Sequence, residues 1–208
     1  MVQIPSAYPL AYVCVFLMAK YQNLKSILLA RFAKNCPWTV PFYIEPNVKP
    51  LTSITHNQTE ESMKRMGYKR TEDGKWEETT RYIERQSGIF AVWVAMTTHQ
   101  LNPRAISQDA ETGHPFPLGN AWRWAARTLN HQATSEIECA MMATFLEVVN
   151  QQFVRAYRRQ GQKVVNLAVG GQWVAGIRGP AVGRLEIMRD EFQRTGRIGE
   201  EGFGAFVP

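Results

Sequence analysis

The stretch SEIECAMMATFLEVVNQQFVRAYRRQG (135–161) decides the fold class. Glu136 and Glu138 open it, and Arg155, Arg158 and Arg159 close it. Acids at the start and cations at the end complement a helix dipole, and Gly161 reads as a stop. The spacing predicts the longest helix of the chain over about 135–159.

The same signals recur outward from it. Leu10–Tyr21 and Leu24–Lys34 read as two apolar helices parted by a polar turn, with Asn23 as the N-cap of the second. The four prolines of NCPWTVPFYIEPNVKP (35–50) stop a helix and favour extended backbone. A short helix follows in NQTEESMKRMGY (57–68), capped by Thr59 and ended by Gly67, and a long one is predicted over 76–99. Residues 102–119 form a Pro/Gly-rich loop, the apolar 163–177 are broken by Gly170-Gly171, and 180–194 give one more helix. Strand-like alternation is almost absent. The expected fold is all-α, six to eight helices in antiparallel pairs, as a HEAT-like arc or an irregular bundle. A single domain over 1–208 is expected, with 196–208 a flexible tail and further chain preceding Met1, which falls inside structured-looking sequence.

Charge is uneven along the 208 residues. Residues 1–50 hold five cations (Lys20, Lys25, Arg31, Lys34, Lys49) against Glu45 alone, 60–90 are balanced at seven against seven, and 151–208 are basic again. A localised excess points to a polyanionic partner more than a uniform one does. Cys14, Cys36 and Cys139 have no paired spacing and read as reduced thiols. The apolar run 9–19 is too short to span a bilayer, which needs about 20 residues, so membrane insertion is not expected. Asn57-Gln58-Thr59 fits the glycosylation sequon by chance. His56, His99, His114 and His131 lack metal-ligand spacing, and no phosphate-binding glycine loop or nucleophile elbow is present. Neither metal, catalytic residue nor enzymatic activity is expected.

Two segments carry the functional question. In GHPFPLGNAWRWAARTLNH (113–131), Trp122, Ala126 and Leu129 share one helical face and Arg123 and Arg127 the next. That pattern reads as a helix anchored in a core through Trp122 with solvated arginines, and direct RNA binding is not expected. The alternative reading is an RNA-binding helical scaffold of translation-factor type that uses the basic ends of the chain directly. On the second helix, Leu24, Ile27, Leu28 and Phe32 define an apolar arc into which Arg31 falls, with Lys34 on its edge. A guanidinium in such a sector pairs with an internal acid, snorkels, or faces a polar groove. The last reading sets Arg31 and Lys34, one turn apart, toward a multiply charged phosphate, for which the forked arginine donors are suited.

Four blocks in order, ARFAKNCPWTVPFY (30–43), MGYKRTEDGKWEETTRYIERQSGIFAVWVAM (66–96), HPFPLGNAWRWAARTLN (114–130) and FLEVVNQQFVRAY (145–157), resemble the C-terminal domain of the GLFG-lethal-type mRNA export factors of the nuclear pore. The resemblance covers about residues 20–195. It implies a HEAT/MIF4G-like domain that binds a DEAD-box RNA helicase through inositol hexakisphosphate and stimulates its ATPase cycle at the cytoplasmic face of the pore. It implies an FG nucleoporin as a second partner, and roles with translation initiation and termination factors in the cytoplasm. The family's basic pocket just before Cys-Pro maps onto Arg31 and Lys34, with Asn35 where the family has a second lysine. Lys20 and Lys25 are neighbourhood candidates.

Overall fold

The structure, a computed structural model, describes residues 4–41, 60–99 and 113–198. The expectations for Thr59, His56, the extended run beyond Pro41 and most of the loop 102–119 lie outside the described residues. Seven α-helices are formed among them: α1 Ala7–Lys20, α2 Gln22–Asn35, α3 Glu60–Arg65, α4 Thr79–Thr98, α5 Gly119–Leu129, α6 Glu136–Val169 and α7 Pro180–Thr195. The only extended pairing among the described residues is an isolated bridge between Arg70 and Trp76. The all-α expectation holds.

Helices α1, α4, α6 and α7 pack in that order, with α2 against α1 and α4, and α5 against α4 and α6. Central α4 buries Tyr82 and Gln86 on one face of its first half, with Arg81 and Glu84 exposed, and from Phe90 to Thr98 it is covered nearly all round. A helix apolar on every side is one that has neighbours on every side. On α1 the buried residues Ala7, Tyr8, Ala11, Val15 and Met18 follow helical spacing, while Leu10 and Val13 stay exposed.

Several local expectations are corrected. Asn23 does not cap α2; Tyr21, in extended conformation, holds the N-cap position, and Asn23 lies inside the first turn. Trp76 precedes α4 because it is engaged in the bridge to Arg70. The stretch 135–161 does not end at Gly161: α6 runs on to Val169. Ser135 caps its start by accepting from the Glu138 amide at 3.4 Å, as a serine in that position should. The chain reverses sharply at Arg158, the one non-glycine with positive φ among the described residues (φ 49°). Beyond it the helix resumes and packs back on itself. A Cβ on Gly161 would come within 3.0 Å of the Phe153 carbonyl oxygen. Gly161 is therefore a point of close approach, not a stop.

On α5 the packed face differs by one residue from the expectation. Ala121, Trp124, Ala125, Thr128 and Leu129 are buried, an i, i+3, i+4, i+7, i+8 set. Trp122 is only half-buried, ringed by Phe153 and Tyr157 of α6. Arg123 and Arg127 are exposed, as expected. Trp124 is the deeper anchor because its indole N–H finds a buried partner, the Trp38 carbonyl, at 2.8 Å. Past α7, Ile198 is buried, and the residues after it lie outside those described.

Candidate functional site

The chain positions the end of α2 through a relay of buried polar contacts. Trp38, in the 3-10 turn Pro37–Thr39 just after α2, donates its indole N–H to the Tyr82 hydroxyl at 2.8 Å. Tyr82 in turn donates to the Met66 carbonyl at 2.6 Å. Tyr68 stacks on Tyr82 with centroids 3.8 Å apart. Burial drives the Tyr82 phenol far up and so keeps it a donor. Gln86, on the next turn of α4, donates to the Asn35 carbonyl at 3.1 Å, and the Cys36 thiol reaches the Gln86 carbonyl at 3.7 Å. The last turn of α2 is thereby fixed on the molecule's central helix.

Beside it the turn at Gly67 (φ 77°) closes on Pro37, whose Cδ would lie 3.3 Å from an added Cβ. Arg85 secures that turn, donating to the Gly67 carbonyl at 2.8 Å and forming a close ion pair with Glu77. Glu77 also accepts from the Lys69 amide at 2.7 Å. Arg85 is thus a structural cation. Arg70 likewise pairs with Glu60 and lies over the Trp76 ring, and Lys64 pairs with Glu60.

Arg31 and Lys34 contrast with these. Both are exposed, and among the described residues neither enters an ion pair. The inward face of α2 consists of Phe32, which is buried, and Leu28 and Leu29, which are half-buried. Ile27 is 57% exposed, and it shares with Arg31 and Lys34 the face turned to solvent. The flank of the apolar arc that contains Arg31 is therefore never covered by the core. Neither snorkelling nor an internal carboxylate is needed to place this guanidinium. Residues 4–41 contain Lys20, Lys25, Arg31 and Lys34 and no acid at all.

What this face can do follows from its charges. Two exposed cations one turn apart, with no local carboxylate to compete, suit a ligand carrying several phosphates. The carbonyl end of α2 bears partial negative charge, which favours Lys34 but repels an anion. Any anion here is held by side chains rather than by backbone. Asn35 cannot add a cation; its amide Nδ2 donates to the Arg31 carbonyl at 2.8 Å.

The rest of the described chain is chemically quiet. Burial pushes the Cys36 and Cys139 thiols up to about 12, so both stay protonated and unreactive. A small cleft lined by Trp38, Trp124, His131 and Glu138 lies under α5. Its carboxylate is already engaged, Glu138 accepting from the Thr134 amide at 2.6 Å. Among the described residues no group of three or more His, Cys, Asp or Glu is placed to hold a metal, and no helix is long and apolar enough to cross a membrane.

Comparison with known proteins extends this picture. Residues 1–169 match the family model described as GLE1-like protein. The mRNA export factor gle1 of Schizosaccharomyces pombe is 32% identical over 91% of this chain. The corresponding factors of Saccharomyces cerevisiae and Mus musculus are 29% and 30% identical, each over 78% of the chain. The chain spans 36%, 28% and 22% of the lengths of these three relatives. A chain of the solved Saccharomyces cerevisiae complex described as the Dbp5 C-terminal domain bound to Gle1 and IP6 superimposes with a TM-score of 0.75 at 26% identity. That match covers 95% of this chain and 63% of the other.

Proposed function

Since the chain belongs to the GLE1-like protein family, we propose that it is the part of an mRNA export factor that engages a DEAD-box RNA helicase through inositol hexakisphosphate. One observation carries this reading. Arg31 and Lys34 stand in solvent one turn apart on a helix clamped to the core, within 38 residues that contain no acid. The similar yeast complex unites the Dbp5 C-terminal domain, Gle1 and IP6, which supports transferring that chemistry to this face.

In this reading the inositol phosphate supplies a dense cluster of negative charge. Arg31 meets it with forked donors and Lys34 with a point charge. The Gln86 and Trp38 contacts hold the two at constant spacing, so the ligand need not order the helix that binds it. The domain acts as an adaptor without chemistry of its own. It bridges to the helicase, stimulates its RNA-dependent ATPase, and works at the cytoplasmic face of the nuclear pore. An FG nucleoporin is a second partner, and translation initiation and termination factors are further ones. The stacking of α1, α4, α6 and α7 is compatible with a HEAT/MIF4G-like arrangement of helix pairs.

The test is the RNA-stimulated ATPase of the pore DEAD-box helicase, measured with this chain in the presence and absence of inositol hexakisphosphate. Stimulation that rises with the ligand is expected. An ATPase rate that the chain leaves unchanged in both conditions rejects the proposal.

A further inference from the structure

A second acid-free region runs from Val148 to Leu185, with six cations and no carboxylate. Its centre is the reversal of α6. Arg158 and Arg159 sit at the bend, Lys163 one turn beyond, and all three side chains are exposed. Arg184, by contrast, is used up by Glu147 at 2.6 Å. Among the described residues no ion pair involves Arg158, Arg159 or Lys163.

Two features distinguish this knuckle from an ordinary solvated helix end. The first is Arg158 itself, in left-handed backbone at φ 49°. Glycine or asparagine takes that conformation at less cost, so an arginine there is a poor choice for folding alone. The second is the aromatic wall beside it. Trp122 of α5 packs against Tyr157 with centroids 4.6 Å apart and against Phe153 at 5.7 Å. Trp122 and Tyr157 remain half-buried, whereas Phe153 is fully covered. The partly open Tyr157 ring therefore precedes Arg158 directly in sequence, Trp122 packs on that ring, and Arg123, exposed, follows Trp122 in α5.

We propose that the α6 reversal, Arg158, Arg159 and Lys163 with the open edges of Trp122 and Tyr157, is a binding surface for single-stranded RNA. Cations that track a phosphate backbone beside rings on which bases stack are the two components such surfaces combine. Guanidinium predominates over ammonium here, which suits phosphate recognition and stacking. A membrane surface is the poorer occupant, because Gln160 and Gln162 alternate with the cations where anchoring apolar side chains would be needed. The residues that define the site lie on α5 and α6, and none of them is on α2.

The experiment is fluorescence anisotropy of the full chain with a short fluorescein-labelled oligouridylate over a series of salt concentrations. The Arg158→Gln/Arg159→Gln/Lys163→Gln variant should lose at least about tenfold in affinity, and its log–log salt slope should fall by about two units. Lys64→Gln/Lys69→Gln/Lys75→Gln, with the same change in net charge, should bind within about twofold of the parent. Arg158→Gly should melt no lower than the parent while binding RNA more weakly, separating the bend's fold from its ligand. The proposal is overturned if the parent does not bind, or if Arg158→Gly binds as the parent does. Equal losses in the two triple variants overturn it too, as does binding to phosphatidylserine vesicles, but not to RNA, that the 158/159/163 variant abolishes.

Discussion

The indole N–H of Trp124 donates to the carbonyl of Trp38 across 2.8 Å, joining α5 to the turn that ends α2. Since Trp38 passes its own N–H to Tyr82, and Tyr82 its hydroxyl proton to Met66, one chain of bonds ties four separated segments. Tyr82 is the centre of that chain. Tyr82→Phe keeps the ring and its stack on Tyr68 but strands a buried indole N–H and a buried carbonyl. A loss of about 2–3 kcal/mol in unfolding free energy is expected, read from the denaturant midpoint. A loss under about 0.5 kcal/mol would show that water replaces the hydroxyl.

Arg31 and Lys34 lie outside this network. Arg31→Ala and Lys34→Ala should each weaken inositol hexakisphosphate binding, measured by calorimetry with the helicase present, by about tenfold or more. Their melting temperatures should stay within a degree or two of the parent, because exposed side chains away from caps and cores contribute little to stability. A fall in melting temperature with ligand binding intact would make both residues structural instead.

Much of the helical architecture is legible in the residues themselves, and the failures have specific physical causes. The end of α2 and its basic pair are visible because proline follows them directly. The reversal of α6 is legible only in part: the terminal cations and Gly161 mark where its first limb ends near Arg158, but no local signal shows that the helix resumes to Val169 and packs back on that limb. On α5 the wheel alone favours Trp122. What decides for Trp124 is a hydrogen-bond acceptor on Trp38, 86 residues away in sequence. Likewise the arc of Leu24, Ile27 and Leu28 is apolar in composition, but its outer flank meets no neighbouring helix among the described residues.

Gly179 precedes α7 at φ 143°, where a side chain is strained. A Cβ there would collide with the Glu136 carboxylate, which accepts from the Ala181 amide at 3.4 Å and so caps α7. Gly179→Ala should cost on the order of 2–4 kcal/mol in chemical denaturation. In a Glu136→Ala background the collision disappears, and the same substitution should cost about 1 kcal/mol less. Strict additivity would put the whole cost in the backbone.

His99 and His114 stand at the two edges of the segment 100–112, and burial lowers both below the ordinary imidazole value. His114 accepts from the Phe116 amide through Nδ1 at 3.0 Å, and His99 pairs through Nε2 with the Tyr8 carbonyl at 2.8 Å. A histidine with a depressed folded-state pKa binds its proton more readily in the unfolded chain. Stability is therefore whole above about 6.5, the unfolded value, and is lost as pH falls from there through the folded-state pKa. His114 suffers doubly, because protonation removes the lone pair that Phe116 needs. Thermal melts between about pH 8 and pH 5 should show a falling melting temperature below about 6.5, and His114→Asn should flatten that slope. An unchanged slope in His114→Asn would assign the acid sensitivity to His99, at the junction of α1 and α4.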